Sequence, residues 1–421
     1  MNRVLTHPED VEVVFKDSNK HLKAVNNNSG WLMGELLGQC MGLISGTEWQ
    51  NVRNAAAVPF SHKSTARYIE QIVQATEEHF LELYQKGRLR QNLINPVDDL
   101  RLLPFWVIAR ILYGELTEEL KKDLQEIIEM RESLFKRMVQ GGVTRFSWSQ
   151  CFRTKTNEGL KKFKKRWAEF NDAAYFGCRL AKEETPITRM HEAAEDGKIT
   201  TQQLHQTLDE MLFANLDVTI GGISWNLLFL ADNQDVQADI REEIRSMRIL
   251  GDIKKRDEYL LSSSTLLAAA VLESARLKPL AAFSVPQSAP TTRVVGGFRV
   301  PAGTDFIVDT LALNIRNPYW GDDTDVYRPS RFLHRKRSEM RYQYWRFGFG
   351  PRLCLGRDVA DLIIRVLLLH LIENYQVRLS QTSHWDRNPG TWIIQPDVEI
   401  RCDYLQCLGG GGGGGHRNGA E

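Results

Sequence analysis

Ten residues constrain this chain more than any other stretch: Phe347-Gly348-Phe349-Gly350-Pro351-Arg352-Leu353-Cys354-Leu355-Gly356. Glycines at three positions around one cysteine imply a backbone wrapped tightly about a sulfur. An aromatic residue stands before the wrap, Arg352 lies two residues upstream of the sulfur, and an apolar helical pattern from about Arg357 to Tyr375 begins just after it. A thiol in that setting receives backbone N–H groups and the positive end of a helix, and both lower its pKa. A metal-bound thiolate needs that. The six cysteines (Cys40, Cys151, Cys178, Cys354, Cys402 and Cys407) contain no CxxC, so a zinc ribbon or thioredoxin-type site does not compete. Their sparse spacing speaks against a disulfide framework and for a reducing compartment.

Thiolate ligation of haem iron pushes electron density onto the metal and favours O–O cleavage. Arg352 is placed to pair with an anionic haem propionate, and Phe347 to shield the sulfur. The segment resembles the haem-binding signature of the cytochrome P450 family, Phe-x-x-Gly-x-Arg-x-Cys-x-Gly, at Phe347, Gly350, Arg352, Cys354 and Gly356.

Three further motifs resemble that family and stand in its order. Glu273-Ser274-Ala275-Arg276 lies 78 residues before the cysteine, and its Glu and Arg share one helical face. Pro329-Ser330-Arg331-Phe332 resembles the family's Pro-x-Arg-Phe. The resemblance implies a buried Glu273–Arg276–Arg331 triad that locks the cysteine segment without taking part in chemistry. Trp49-Gln50-Asn51-Val52-Arg53 resembles Trp-x-x-x-Arg, which implies that the Trp49 indole N–H and the Arg53 guanidinium reach propionates. Asn314 and Arg316 lie where the family's chain crosses beneath the haem.

One region departs from the pattern. The family's oxygen-activating helix carries roughly Ala/Gly-Gly-x-Asp/Glu-Thr-Thr. Here Ala214-Asn215-Leu216-Asp217-Val218-Thr219 aligns with it. The acid is present as Asp217, but Asn215 replaces the glycine and Val218 replaces the first threonine. Thr219 carries a hydroxyl one position, about 100°, round the helix. Three readings stand: Asn215 or a water supplies the polar group, the substrate supplies it, or Thr219 serves in a shifted register.

The remaining pattern is mostly helical. Helices are expected at Glu9–Phe15, 47–57, 64–87, 96–113, 117–139, 157–182, 233–247 and 263–277, with one helix of about 30 residues over Thr201–Asp232 capped by Thr200 or Thr201. Residues 24–46, rich in Asn and Gly, read as a long loop. Val4-Leu5 and 307–311 read as strands and 291–301 as a hairpin. The expected class is mainly α with a small β portion, the cytochrome P450 fold. It is one domain over residues 1–408, apparently missing its N-terminal strands and anchor, with a Gly-rich tail, 409–421.

Composition adds limits. With 54 Lys and Arg against 53 Asp and Glu in 421 residues, no global charge recruits nucleic acid. No apolar run reaches about 18 residues, so no membrane-spanning helix is expected. Five cations, Arg335, Lys336, Arg337, Arg341 and Arg346, precede the cysteine loop and suggest a basic face for an acidic electron-transfer partner.

The resemblance implies a haem-thiolate monooxygenase. Its cofactor would be haem b (iron protoporphyrin IX), with Cys354 on the iron and Asp217, Asn215 and Thr219 handling protons. Electrons would come from NADPH through a separate NADPH-cytochrome P450 reductase. The location would be the cytosolic face of the endoplasmic reticulum membrane if an anchor precedes Met1, and the cytoplasm otherwise. Substrate contacts are expected from Trp31, Met33, Phe213, Leu216, Val218, Phe283, Val285 and Trp392, with Ala281, Ala282 and Thr391 beside them. This apolar lining suits a mostly apolar small molecule. The run Asp209–Gly222 is similar to enzymes of gliotoxin-like diketopiperazine pathways, which implies a cyclic dipeptide substrate. Oxidative coupling or ring closure without oxygen insertion, and non-catalytic haem binding, are the competing readings.

Overall fold

A computed structural model describes residues 2–23, 30–248, 252–336, 338–381, 383, 385 and 393–405. Among the described residues the architecture is mainly helical with a small β portion, as expected, in three sheets. In the largest sheet Asn2–Leu5 pairs in parallel with Asp305–Val308, and Gln287–Ser288 joins Asp305–Val308 to Leu22–Lys23. The expected hairpin is Arg293–Val295 with Phe298–Val300. A third sheet joins Leu93–Ile94, Ile400–Tyr404 and Tyr375–Leu379. The Gly-rich tail and Trp392, Thr391, Arg337 and Cys407 lie outside the described residues.

The expected 30-residue helix is divided. Thr200 caps its first half, Thr201–Phe213, in a capping box with Gln203. A 3-10 turn, Ala214–Leu216, interrupts it, and Val218–Asp232 resumes. The cause is local. The Asn215 amide donates to the Met211 and Leu212 carbonyls at 2.8 and 3.2 Å, competing with the main-chain ladder. The freed Leu216 carbonyl takes the Arg101 Nε at 3.1 Å, and Asp217 O, which already accepts the Gly221 N–H at 3.0 Å, also takes Gln395 Nε2 at 2.9 Å. The second half is buried on nearly every side, between Leu266–Leu277 and Arg357–Asn374.

That burial explains a further correction. Thr201–Asp232 and Ile253–Leu277 do meet the length and composition of a membrane span, with 72% and 56% of their apolar windows buried in the fold. A helix that is apolar all round suits a protein core as well as a bilayer. Residues 31–37, expected as loop, form the helix Trp31–Leu37, whose Leu32, Leu36 and Leu37 recur at helical spacing and are buried. The strand expected to run through 311 ends at Val308, where Asp309 caps the short helix Thr310–Asn314 by accepting the Ala312 N–H. Pro186–Glu195 and Ile253–Leu261 are helices that the pattern did not reveal.

Candidate active site

The cysteine loop is held from three directions. The Cys354 N–H donates to Phe347 O at 2.9 Å and closes the wrap. Gly350 has φ +67°, and a β-carbon there would lie 2.3 Å from Phe15 O and 2.6 Å from Ser18 Oγ. Only glycine fits that approach. Ser18 Oγ donates to Phe349 O at 3.2 Å. The Asn314 amide clamps the approach to the loop: Nδ2 donates to Trp345 O at 2.8 Å and Oδ1 accepts the Trp345 N–H at 2.7 Å.

Behind Asn314 stands the triad. Arg276 Nε and Nη2 donate to the two Glu273 oxygens at 2.7 and 2.8 Å, and Arg331 Nε donates to Glu273 at 3.2 Å. All three side chains have 0% exposure. The second cation is balanced by Asp323, 3.0 Å from Arg331 Nη1. Arg276 Nη1 also donates to Asn314 O at 2.9 Å, so the ion network leads into the clamp on the cysteine loop.

The Cys354 side chain is accessible, yet it lies deep among protein atoms, and lost hydration is the first influence on its thiol. Both hold when a sulfur faces an interior space. Ala214, in the middle of the otherwise buried central helix, is exposed in the same way. The expected lowering of the thiol pKa is not found in this structure. Burial raises it, and the Gly356 N–H, Arg53 and Arg357 only partly oppose this. A coordinating metal ion reverses that balance by deprotonating the thiol.

The cations beside the sulfur fit a planar dianion. Arg352 and Arg53 lie 4.6 and 5.5 Å from the Trp49 ring. Arg53 donates to Leu353 O at 3.1 Å and Arg352 Nη2 to Ile44 O at 2.7 Å. Arg352 Nη1 is buried without a partner. Burial and Arg53 depress the Arg352 pKa to about 10. Two crowded guanidiniums and an unmet donor call for an anion, which a haem propionate would supply. Lys23, brought in by the sheet, is depressed to about 8 by burial and by Arg352. Lys23 was not legible as a site residue, because a lone lysine 26 positions before Trp49 carries no pattern.

On the central helix, Thr219 Oγ1 donates to Asn215 Oδ1 at 2.8 Å, and Asp217 pairs with Arg101 at 3.6 Å. Val218 is half-buried and presents no polar atom. Among the expected substrate contacts, Trp31 and Met33 pack partly buried against the main core. Phe283 and Val285 are exposed, at 55% and 46%. A β-carbon on Gly221 would touch Leu280 and Ile393 at 3.1 and 3.2 Å, which brings the segment before Phe283 against the central helix. Phe213 instead lies in an aromatic core with Phe105, Phe163 and Trp167, under the Arg131 guanidinium, and Leu216 is buried.

The basic face is smaller than expected. Arg346 is ion-paired with Asp361 at 2.6 Å and shielded, and Arg335 stacks on Tyr319 at 4.3 Å. Lys336 and Arg341 are exposed.

Comparison with known proteins agrees with these features. The family model described as Cytochrome P450 matches residues 2–402. The chain is 52% identical over 404 residues to cytochrome P450 monooxygenase aclC of Aspergillus oryzae, covering 95% of this chain and 82% of that protein. It is 37% identical over 413 residues to cytochrome P450 monooxygenase gliC of Aspergillus fumigatus, covering 95% and 80%. A zebrafish cytochrome P450 structure with progesterone superposes with TM-score 0.75 at 18% identity over 96% of this chain and 94% of that one. With its motifs in order and the family model matched over residues 2–402, the chain belongs to the cytochrome P450 family and is a haem-thiolate monooxygenase.

Proposed function

We propose that this enzyme inserts one oxygen atom from O2 into a mostly apolar small molecule of fungal secondary metabolism, by hydroxylation or epoxidation, and that its substrate is of the cyclic dipeptide type. The observation that carries the reading is an accessible Cys354 two residues from Arg352, whose Nη1 is buried without a partner. Cys354 would hold the iron, and Trp49, Arg53, Arg352 and Lys23 the propionates, with Gly350 and Gly356 shaping the loop. Thiolate-bound haem supplies the O–O-cleaving chemistry. Ala214 leaves room over it, while Phe283 and Val285 exclude water and orient the substrate. The Thr219–Asn215 pair, with Asp217, holds the proton at the point where the family's threonine would. The similarity of Asp209–Gly222 to diketopiperazine-pathway enzymes supports the cyclic dipeptide class.

Electrons arrive from NADPH through a reductase that meets the exposed Lys336 and Arg341. The proposed location is the cytosolic face of the endoplasmic reticulum membrane. A second reading, oxidative ring closure without oxygen insertion, is favoured by Val218 standing where a hydroxyl is usual. The test is turnover of the haem-loaded enzyme with reductase, NADPH and a phenylalanine-containing cyclic dipeptide under labelled dioxygen. One labelled atom in the product supports insertion. A product without label overturns it in favour of ring closure. A reduced, carbon monoxide-bound spectrum without the thiolate-type red shift overturns Cys354 as the ligand.

A further inference from the structure

Arg346 belongs to the basic run before the cysteine loop, yet its charge is turned inward. Its Nη1 lies 2.6 Å from Asp361 Oδ1, and the two side chains are 13% and 18% exposed. The other Asp361 oxygen lies 2.6 Å from Nη2 of Arg365, one turn further along the same helix and 4% exposed. Arg365 in turn donates to the Leu260 and Ser262 carbonyls at 3.0 and 2.5 Å. Shielding three charges from water is destabilising unless each is matched. A solvated arginine at 346 would avoid that penalty, so the inward placement calls for a reason.

Its position supplies one. The helix Arg357–Asn374 starts just after the cysteine loop, with Gly356 as its N-cap, and Asp361 lies one turn inside it. The loop is therefore tied to this helix twice, through the chain at Gly356 and through the Arg346 side chain at its entry. Between the two ties, the Arg346 guanidinium lies 4.6 Å from the Phe347 ring, and the Phe347 carbonyl accepts the Cys354 N–H at 2.9 Å. Asn314 holds the main chain of Trp345, the residue before Arg346, from the side of the triad. The entry to the loop is thus clasped by two separate networks.

We infer that the Arg346–Asp361 pair is a positioning element for the thiolate ligand. It sets Phe347 and, through the Phe347 carbonyl, the Cys354 main chain, so that the sulfur keeps its place on the iron. This goes beyond the proposed reaction and rests only on Cys354 as the ligand. Arg365 shares the carboxylate but carries it to the Ile253–Leu261 helix rather than to the loop.

The test uses the full haem-loaded chain, reduced and carbon monoxide-bound, in urea well below the unfolding midpoint. The decay of the thiolate-type band is followed with time. Arg346→Met and Asp361→Asn should each speed the decay by about 10-fold, the effect of losing one charge-assisted hydrogen bond. The double variant should decay no faster than the faster single one, and either variant carries the comparison if the other fails to fold. Arg346→Lys should stay within a few-fold of the wild type, as should Arg365→Met, although the latter lowers the unfolding midpoint. The haem reduction potential is measured alongside. The two single variants remove opposite charges, so a field effect would shift the potential in opposite directions, whereas a lost clasp shifts both the same way. A wild-type decay rate in Arg346→Met overturns the inference, as do equal accelerations in Arg346→Met and Arg365→Met, or opposite shifts of potential. A wild type without the thiolate-type band overturns Cys354 as the ligand instead. No substrate is added, so the outcome is independent of the reaction proposed above.

Discussion

The Thr219 hydroxyl donates to Asn215 Oδ1 at 2.8 Å, while the same amide's nitrogen holds the Met211 and Leu212 carbonyls. One asparagine thus breaks the central helix and ties the break to the nearest hydroxyl. Under the proposed reading, Asn215 and Thr219 together bring the polar function that Val218 lacks.

If the two side chains act as a unit, Thr219→Ala and Asn215→Leu should each lower product formation by roughly 100-fold, with more NADPH electrons lost to hydrogen peroxide. The double variant should be no worse than the worse single one. Product and peroxide measured together check this, and multiplicative losses would show two independent residues.

Glu273→Gln should leave the Arg276 and Arg331 charges under-compensated in a fully buried site. Removing one partner of such a network costs about 3–5 kcal/mol. Urea unfolding should register this loss, and haem content should fall with it, because Arg276 also supports the Asn314 clamp.

Gly348 and Gly350 both have positive φ, +88° and +67°. Their alanine variants should nevertheless differ. Each pays the backbone strain of about 1–3 kcal/mol, but only at 350 does the new methyl strike backbone, at Phe15 O. Thermal melts should place Gly350→Ala well below Gly348→Ala.

Arg352→Leu should speed haem loss to an acceptor protein more than Lys23→Leu does, because Arg352 stacks on Trp49 and has the unmet Nη1. Equal rates would argue against Arg352 as the principal propionate partner.

His21 is fully buried, and its Nε2 lies 3.7 Å from Asp17, beyond hydrogen-bond distance. Burial lowers its pKa from 6.5 to about 4, against the pull of Asp17. Between those values the unfolded chain binds a proton that the native chain does not. Stability therefore falls as pH drops from 6.5 to 4 and levels off below, by about 3 kcal/mol in all. Chemical denaturation across that range should show a shallower fall in His21→Leu than in the wild type.

Much of the site was legible in the chain because its parts are local. A cysteine loop, a Glu-x-x-Arg turn and a Trp-x-x-x-Arg turn are short patterns whose spacing follows from helix geometry. The same locality leaves packing unread. Phe213 and Leu216 sit in an apolar run, and only packing decides that Phe213 joins Phe105 and Trp167 in the core. Arg346 looked like one more surface cation until Asp361, from the helix after the loop, paired with it.

The sequence alone determined the cysteine, its glycine wrap, the triad and the helical class, since each depends on residues close together or on a single periodicity. The tertiary structure decided which groups meet. It brought Lys23 into the field of Arg352, set Gly42 against Glu210, and left Cys354 accessible between the half-buried Leu353 and Leu355. Such contacts join residues up to hundreds of positions apart. They depend on burial and desolvation, which no local pattern encodes.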